Sequence, residues 1–365
     1  MNTSSAGRTT IVGVMLSAIV ALAGCTSIGP KTIPRDRFDY SAAVSDSWKE
    51  QMLLNIVKVR YADAPVFLDI ASVINSYSLE SDFSVGGALQ SPLTPAAQNA
   101  NTFSLGAAGK YVDTPTITYN PLTGDKFNKS LMQPLPPSAI FSFIQAGWSA
   151  EFLLRGCVQA VNGMYNRLGM GEDAHPADPD FVRLVQVIAR VQQEGGLGMR
   201  MERDTDGDIA MLFFRKRNTE RSAADIAEVQ RLLGIDSTVG EFNVVYGMMP
   251  KEKNEIAILT RSMIEIMLEL SSFIDVPAAH AAEQRVFPAI AGQGTAGSLK
   301  PLIRVRSDTN RPQDAFVAVR YRDHWFSIDD RDLYSKRTFS FLMFLFTLTE
   351  TGGTPGVPVV TVPVH

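Results

Sequence analysis

The densest group of residues able to do chemistry lies in Tyr321-Arg322-Asp323-His324-Trp325-Phe326-Ser327-Ile328 and the run Asp329-Asp330-Arg331-Asp332 that follows it. Paired carboxylates beside an imidazole and a guanidinium can act as general acid and base where burial separates their pKa values. That makes Asp323, His324, Asp329, Asp330, Arg331 and Asp332 the candidate polar site. The same letters suit a strand running into a helix, where Asp caps the N-terminus and answers the helix dipole, and the sequence favours this structural reading.

Two further patterns invite chemistry and lack its context. Asp204-Thr205-Asp206-Gly207-Asp208 gathers hard oxygens that suit calcium, but an EF-hand loop needs its Gly after the third acidic position and a bidentate Glu further on. An Asp-Gly hairpin turn explains it, and no metal is assigned. Gly292-Gln293-Gly294-Thr295-Ala296-Gly297 matches the dinucleotide fingerprint in letters, yet Lys300-Pro301 follows where the fingerprint needs a helix to face the pyrophosphate. A loop is expected there. The chain has no GxSxG, HExxH, Walker or CxxC motif, and its four His are residues 175, 280, 324 and 365. Neither catalytic residues nor a cofactor are assigned, and the balance leans away from an enzyme.

The two cysteines are more informative. Met1 to Thr10 carries only Arg8, an apolar run follows from Ile11 to Leu22, and Leu22-Ala23-Gly24-Cys25 then matches a lipobox. The run is shorter than the ~20 apolar residues a spanning helix needs. Residues 1–24 are therefore expected to be a lipoprotein signal peptide, with palmitate-type acyl chains on Cys25. Each buried methylene contributes about 0.8 kcal/mol, so two or three chains hold the protein on a bilayer. Thr26 after the Cys reads as an outer-membrane address facing the periplasm in a diderm host. With Cys25 acylated, Cys157 has no disulfide partner, and its helical surroundings suit a buried, inert thiol.

Removing residues 1–24 takes the formal charge from −4 to −5, which argues against a nucleic-acid partner. Apolar content of 45% with 20% charged residues is that of a globular chain with one large or two small cores.

The elements expected to position these groups are mixed. Residues 25–37, with Pro30 and Pro34, read as a tether. Val44, Trp48, Met52, Leu53, Ile56 and Val57 are spaced for an amphipathic helix over 40–60. Period-two alternation over 77–89 and 103–111 predicts a long hairpin, continued by Thr116-Ile117-Thr118-Tyr119. Its length, low charge and terminal aromatics suit either a half-buried hairpin or, if several copies close a barrel, a membrane pore. Helices are expected over 139–146, 150–162, 181–193, 222–233, 262–273 and 336–348. Strands are expected over 199–202, 209–214, 242–246, 256–259, 302–305, 316–320, 325–328 and 357–364. The fold class is mixed α/β, with a helix and hairpin module over 38–137 and a body of antiparallel strands and helices over 138–365.

Three stretches together resemble a family of uncharacterised bacterial lipoproteins. They are Trp48-Lys49-Glu50-Gln51-Met52-Leu53-Leu54-Asn55-Ile56-Val57-Lys58 through Val66-Phe67-Leu68-Asp69, then Thr116-Ile117-Thr118-Tyr119-Asn120-Pro121-Leu122-Thr123-Gly124, then Trp325 to Asp332 into Ser335-Lys336-Arg337-Thr338-Phe339. The resemblance implies the anchor and a common fold over most of the mature chain, and brings no assigned activity. The sequence thus points to a lipid-anchored envelope protein acting by binding or assembly, for which an accessory role in an export or envelope-maintenance machine is one expectation, with an envelope protein or its own copies as partner.

Overall fold

The computed structural model describes residues 29–74, 77–88, 102–113, 116–171, 173–204, 207–215, 220–236, 238–287 and 300–350. The lipobox, the Gly292–Gly297 loop, the expected terminal strand over 357–364, and Thr205 and Asp206 lie outside them. In chain order the elements begin with α1 (Gly29–Arg60), β1 (Leu68–Ile74), β2 (Tyr77–Ala88), β3 (Thr102–Asp113) and β4 (Thr116–Pro121). After them come α2 (Gly124–Phe127), a π-turn over Asn128–Met132, α3 (Pro137–Gln145), α4 (Ala150–Cys157), β5 (Val158–Val161) and β6 (Met164–Tyr165). The middle of the chain forms α5 (Pro179–Gln193), β7 (Leu197–Asp204), β8 (Gly207–Phe214), α6 (Glu220–Leu233), β9 (Glu241–Tyr246), β10 (Glu255–Thr260) and α7 (Met263–Ser271). The last elements are α8 (Ala278–Ala282), β11 (Arg306–Asp308), β12 (Ala315–Tyr321), β13 (His324–Asp329) and α9 (Leu333–Glu350). The fold is mixed α/β, with an N-terminal helix and antiparallel hairpins.

The described residues divide into two compact units, one taking those of 29–45 and 68–120, the other those of 46–67 and 121–350. Within the first, β2 and β3 pair over their whole length in unbroken antiparallel register, from Tyr77 opposite Asp113 to Ala88 opposite Thr102. The expected continuation of the hairpin takes a different course. β4 pairs with β1 in a separate two-stranded sheet. Residues 29–37, read as tether, are helical. Pro30 sits in the first turn, where a missing N–H costs no intrahelical bond, and the carbonyl that Pro34 would crowd belongs to that same turn.

Residues 46–67 and 121–137, grouped with the hairpin in the sequence reading, pack into the second unit. Its core takes Met52, Leu53, Ile56 and Val57 from α1, then Phe67, Leu122, Leu131 and Leu135. Asn55, fully buried, closes the link between them by donating to the Val66 carbonyl at 2.8 Å and accepting from the Val66 N–H at 2.9 Å.

The central sheet has the order β6-β5-β10-β9-β8-β7 and is antiparallel except for β9 beside β10. Helix α3 lies on strands β7 to β10, while α5 packs between α4 and α6. Paired arginines lock α5 to α6: Arg183 grips Glu228 through Nε and Nη2 at 2.7 and 2.8 Å, and Arg190 grips Asp225 the same way at 3.0 and 2.7 Å. A second sheet runs β11-β13-β12, and α9 packs on it. Arg322 and Asp323, with φ of 45° and 64°, form the two-residue turn of the β12–β13 hairpin, as its right-handed twist requires.

Helix α4 passes directly into β5. Periodicity predicts helix to residue 162, but it stops at Cys157 because side chains from elsewhere take up its last carbonyls. Asn166 Nδ2 donates to the carbonyls of Leu154, Arg155 and Val158, and Arg261 Nη1 donates to those of Arg155 and Gly156.

Helix α9 binds the sheet and α1 together through aromatic packing. Phe346, 1% exposed, stacks on Phe67 at 4.8 Å and meets Trp48 edge-on at 6.4 Å. Its truncation to Ala should cost about 3–5 kcal/mol in a urea titration, the scale for emptying a buried aromatic site. Phe344→Ala, at a half-exposed position of the same helix, should cost under about 1 kcal/mol. Equal losses would show that α9 packs otherwise.

Candidate functional site

The site is built on α7. Ser262 caps it in a reciprocal box, its hydroxyl accepting from the Glu265 N–H while the Glu265 carboxylate accepts from the Ser262 N–H at 2.7 Å. One face of the helix buries Glu269, whose Oε1 accepts from Arg167 Nη1 at 2.5 Å and whose Oε2 accepts from the Gly169 N–H at 2.9 Å. Only glycine fits at 169, where a Cβ would fall 2.6 Å from that of Ser272. Arg167 lies over the Phe273 ring, 4.5 Å from its centroid, so the ion pair also fixes the residue that follows the helix.

From Phe273 the chain forms one wall of a cavity of about 890 Å³. Phe273, Ile274, Val276, Ala281, Val286 and Phe287 line it, together with Arg60 at the end of α1 and Ala62 just past it. The volume and the apolar lining with a few polar groups are those of a small-molecule site.

Arg60 is the chemically distinctive member. It is 4% exposed, and its Nη1 donates to the Phe287 carbonyl at 3.1 Å and to the Met170 sulfur at 3.4 Å. Its Nε has no acceptor, and no carboxylate pairs with it among the described residues. Burial pushes the guanidinium below its ordinary value, partly offset by the neighbouring Tyr61. Even so, arginine stays charged in proteins. The negative end of α1's dipole answers part of that charge without supplying Nε with an acceptor.

An aromatic and imidazole cluster adjoins Arg60. Tyr61 Oη and His280 Nδ1 are 2.8 Å apart, and His280 meets His324 edge-on with centroids 5.0 Å apart. Tyr61 packs against Tyr321 and Phe326, Arg322 lies 5.0 Å over its ring, and Tyr321 donates its hydroxyl to Asp63. Desolvation, then the positive charge of Arg285 and His324, holds His280 below the usual imidazole range. Burial raises Tyr61 and Tyr321 above the phenol range.

The six residues of the candidate polar site are spread along β13 and past it. Asp323 sits in the turn and pairs with Arg320 at 3.0 Å, while His324 Nδ1 lies 3.2 Å from the Arg322 carbonyl. At the strand's far end Asp329 pairs with Arg306 at 3.3 Å and accepts from the Arg331 N–H at 2.9 Å. Arg331 pairs with Asp314 at 2.5 Å, Asp330 with Lys336 at 2.6 Å, and Asp332 caps α9 by accepting from the Ser335 N–H at 3.1 Å. A six-residue strand separates the two groups by roughly 17–20 Å, so they form no common site. Of the six, only His324 reaches the cluster beside the cavity.

No group of three His, Cys, Asp or Glu among the described residues could hold a metal, and no described helix is long and apolar enough to cross a membrane. Cys157 is buried, and desolvation pushes its thiol up to about 12, against the weaker opposing effect of Arg261. No protein-family model, curated protein or solved structure matches this chain.

Arg60, Tyr61 and His280 were not singled out from sequence. One signal was there: Arg60 continues the apolar stripe of Leu53, Ile56 and Val57, at a position where a surface helix would carry another apolar residue.

His280 gives the site a pH signature. Unfolded, it takes a proton near pH 6.5, whereas the folded site resists protonation, so acid favours the unfolded chain below that value. The melting temperature should fall between pH 7.5 and 5.5, and His280→Asn should flatten the slope. Identical slopes in the two proteins would contradict this.

Proposed function

We propose that this chain is a lipid-anchored envelope protein that acts by binding, with the cavity at Arg60 as its ligand site. The observation that carries the reading is a cavity of about 890 Å³, apolar over most of its wall, into which the fold places a buried cation without a counter-ion. An unpaired buried charge costs a fold several kcal/mol, a cost that a bound anionic group would offset. The anchor rests on Leu22-Ala23-Gly24-Cys25, and on this reading the body works at the membrane surface that holds its acyl chains, the periplasmic face of the outer membrane in a diderm host.

Two measurements test it. The full-length protein should sediment with membranes, and Cys25→Ala should leave the membrane fraction. The soluble Cys25→Ala protein should bind the anionic, apolar dye anilinonaphthalene sulfonate saturably at one site, and Ala281→Trp, which fills the cavity, should abolish that binding while leaving the melting temperature within a few degrees. Saturable binding that Ala281→Trp does not change would remove the cavity from the proposal.

A second reading is favoured by one feature, the hairpin. Strands β2 and β3 are 12 residues long, pair without a bulge and have no third strand among the described residues. A tilted strand of about 9–11 residues spans a bilayer, and open edges invite pairing between copies. On this reading several hairpins close a barrel. Detergent-purified protein should then form rings that conduct in planar bilayers and lose conductance when residues 77–113 are deleted. A monodisperse, non-conducting monomer would overturn it.

A further inference from the structure

We infer that the pore read from the β2–β3 hairpin conducts cations, through a lumen walled by the even-numbered residues of both strands. The inference rests on the pore reading above and names what passes and which face lines the path. Its basis is register. Tyr77 stands opposite Asp113 and Ala88 opposite Thr102, with every residue between them matched one to one. Each odd-numbered residue of β2 therefore pairs with an odd-numbered residue of β3, and successive residues alternate between the two faces. One face takes Leu79, Phe83, Val85, Leu105 and Tyr111, the other Glu80, Asp82, Ser84, Ser104 and Lys110. A slip of one residue would have put the apolar set of one strand beside the charged set of the other. Instead all three charges between the ribbon's ends, Glu80, Asp82 and Lys110, share one face, on which Ser84 and Lys110 are exposed. A ribbon of this kind suits lipid on one side and water on the other.

Further copies of the same chain complete the wall. In a bilayer both open edges of the ribbon must be paired, and each ribbon offers one ascending and one descending strand. Set side by side by rotation, β2 of one copy meets β3 of the next, so every pairing is antiparallel and the ring closes on an even number of strands. Residues 89–101, which join the strands and must cross from the anchored side, contain no Asp, Glu, Lys or Arg to oppose their passage. Selectivity follows from the polar face. Glu80 stands opposite Lys110, whereas Asp82 stands opposite Ala108. With two acids against one lysine, each copy brings a net charge of −1 to the lumen, and the ring repeats Asp82 at a single level. Rings of carboxylates favour cations.

The test records currents of the full-length, acylated protein in planar bilayers under a potassium chloride gradient. The zero-current potential should carry the sign of a cation-selective pore. Asp82→Lys, which leaves two lysines against one acid in each copy, should reverse that sign. A labelling arm changes no charge of the protein itself and decides alone if Asp82→Lys forms no pores. Ser84→Cys and Val85→Cys place a thiol on opposite faces, and a charged, membrane-impermeant thiol reagent should alter the current through the first and leave the second unchanged. Currents that do not prefer cations, a sign that Asp82→Lys leaves as it was, or a reagent that acts at residue 85 or fails to act at 84 overturns the face assignment and leaves the pore reading intact. Wild-type protein that forms no conducting pore overturns both.

Discussion

One buried guanidinium, that of Arg261, sets the geometry of the larger unit. It is 2% exposed and donates to the carbonyls of Arg155 and Gly156 through Nη1 and to that of Arg167 through Nη2, while its own N–H bonds to the Cys157 carbonyl at 2.8 Å. It therefore ends α4, holds the loop before Gly169, and fixes the point where β10 gives way to α7. Its charge is answered by Glu269 at 3.9 Å, which also binds Arg167 and Gly169. Burying such a group is tolerable only when nearly every donor is satisfied, and here the partners are carbonyls that a helix end would otherwise leave orphaned. Sheet, helix and cavity wall are thus positioned by a shared need for hydrogen bonds.

That network also explains what sequence could and could not show. Helices with local signals were readable: Ser262 with Glu265 announces α7, Asp178-Pro179 opens α5, and Gly234, at φ of 65°, ends α6. The period-two hairpin was readable for the same reason, since its pattern is carried in consecutive residues. The end of α4 was not, because Gly156 lies within its last turn rather than just past it, and no Pro follows. Its terminators, Asn166 and Arg261, stand 9 and 104 residues after Cys157 and act only once the chain is folded. Short elements such as α8 and the π-turn escaped likewise, because five residues are too few to carry a periodic pattern.

The site divides along the same line. The acidic run at 329–332 drew notice by its density, yet its charges are spent on neighbours and on the start of α9. Arg60, a single letter in an apolar stripe, drew none. What distinguishes the two is the company each keeps in space: surface carboxylates beside exposed arginines contribute little, whereas one cation under cover alters the character of a whole cavity. Density along the chain is a poor guide to chemistry when partners arrive from α1, the loop after α7 and the residues following α8.

The sealed thiol at the α4–β5 junction carries a practical consequence. On the anchored reading the sulfur of residue 25 is acylated, and that of residue 157 is enclosed and held in its unreactive protonated form. The folded chain then presents no reactive sulfur to solvent. Any cysteine introduced at a chosen surface position becomes a unique chemical handle, so spin labels, fluorophores or crosslinkers can map the hairpin and the cavity mouth in the native envelope without first rebuilding the background.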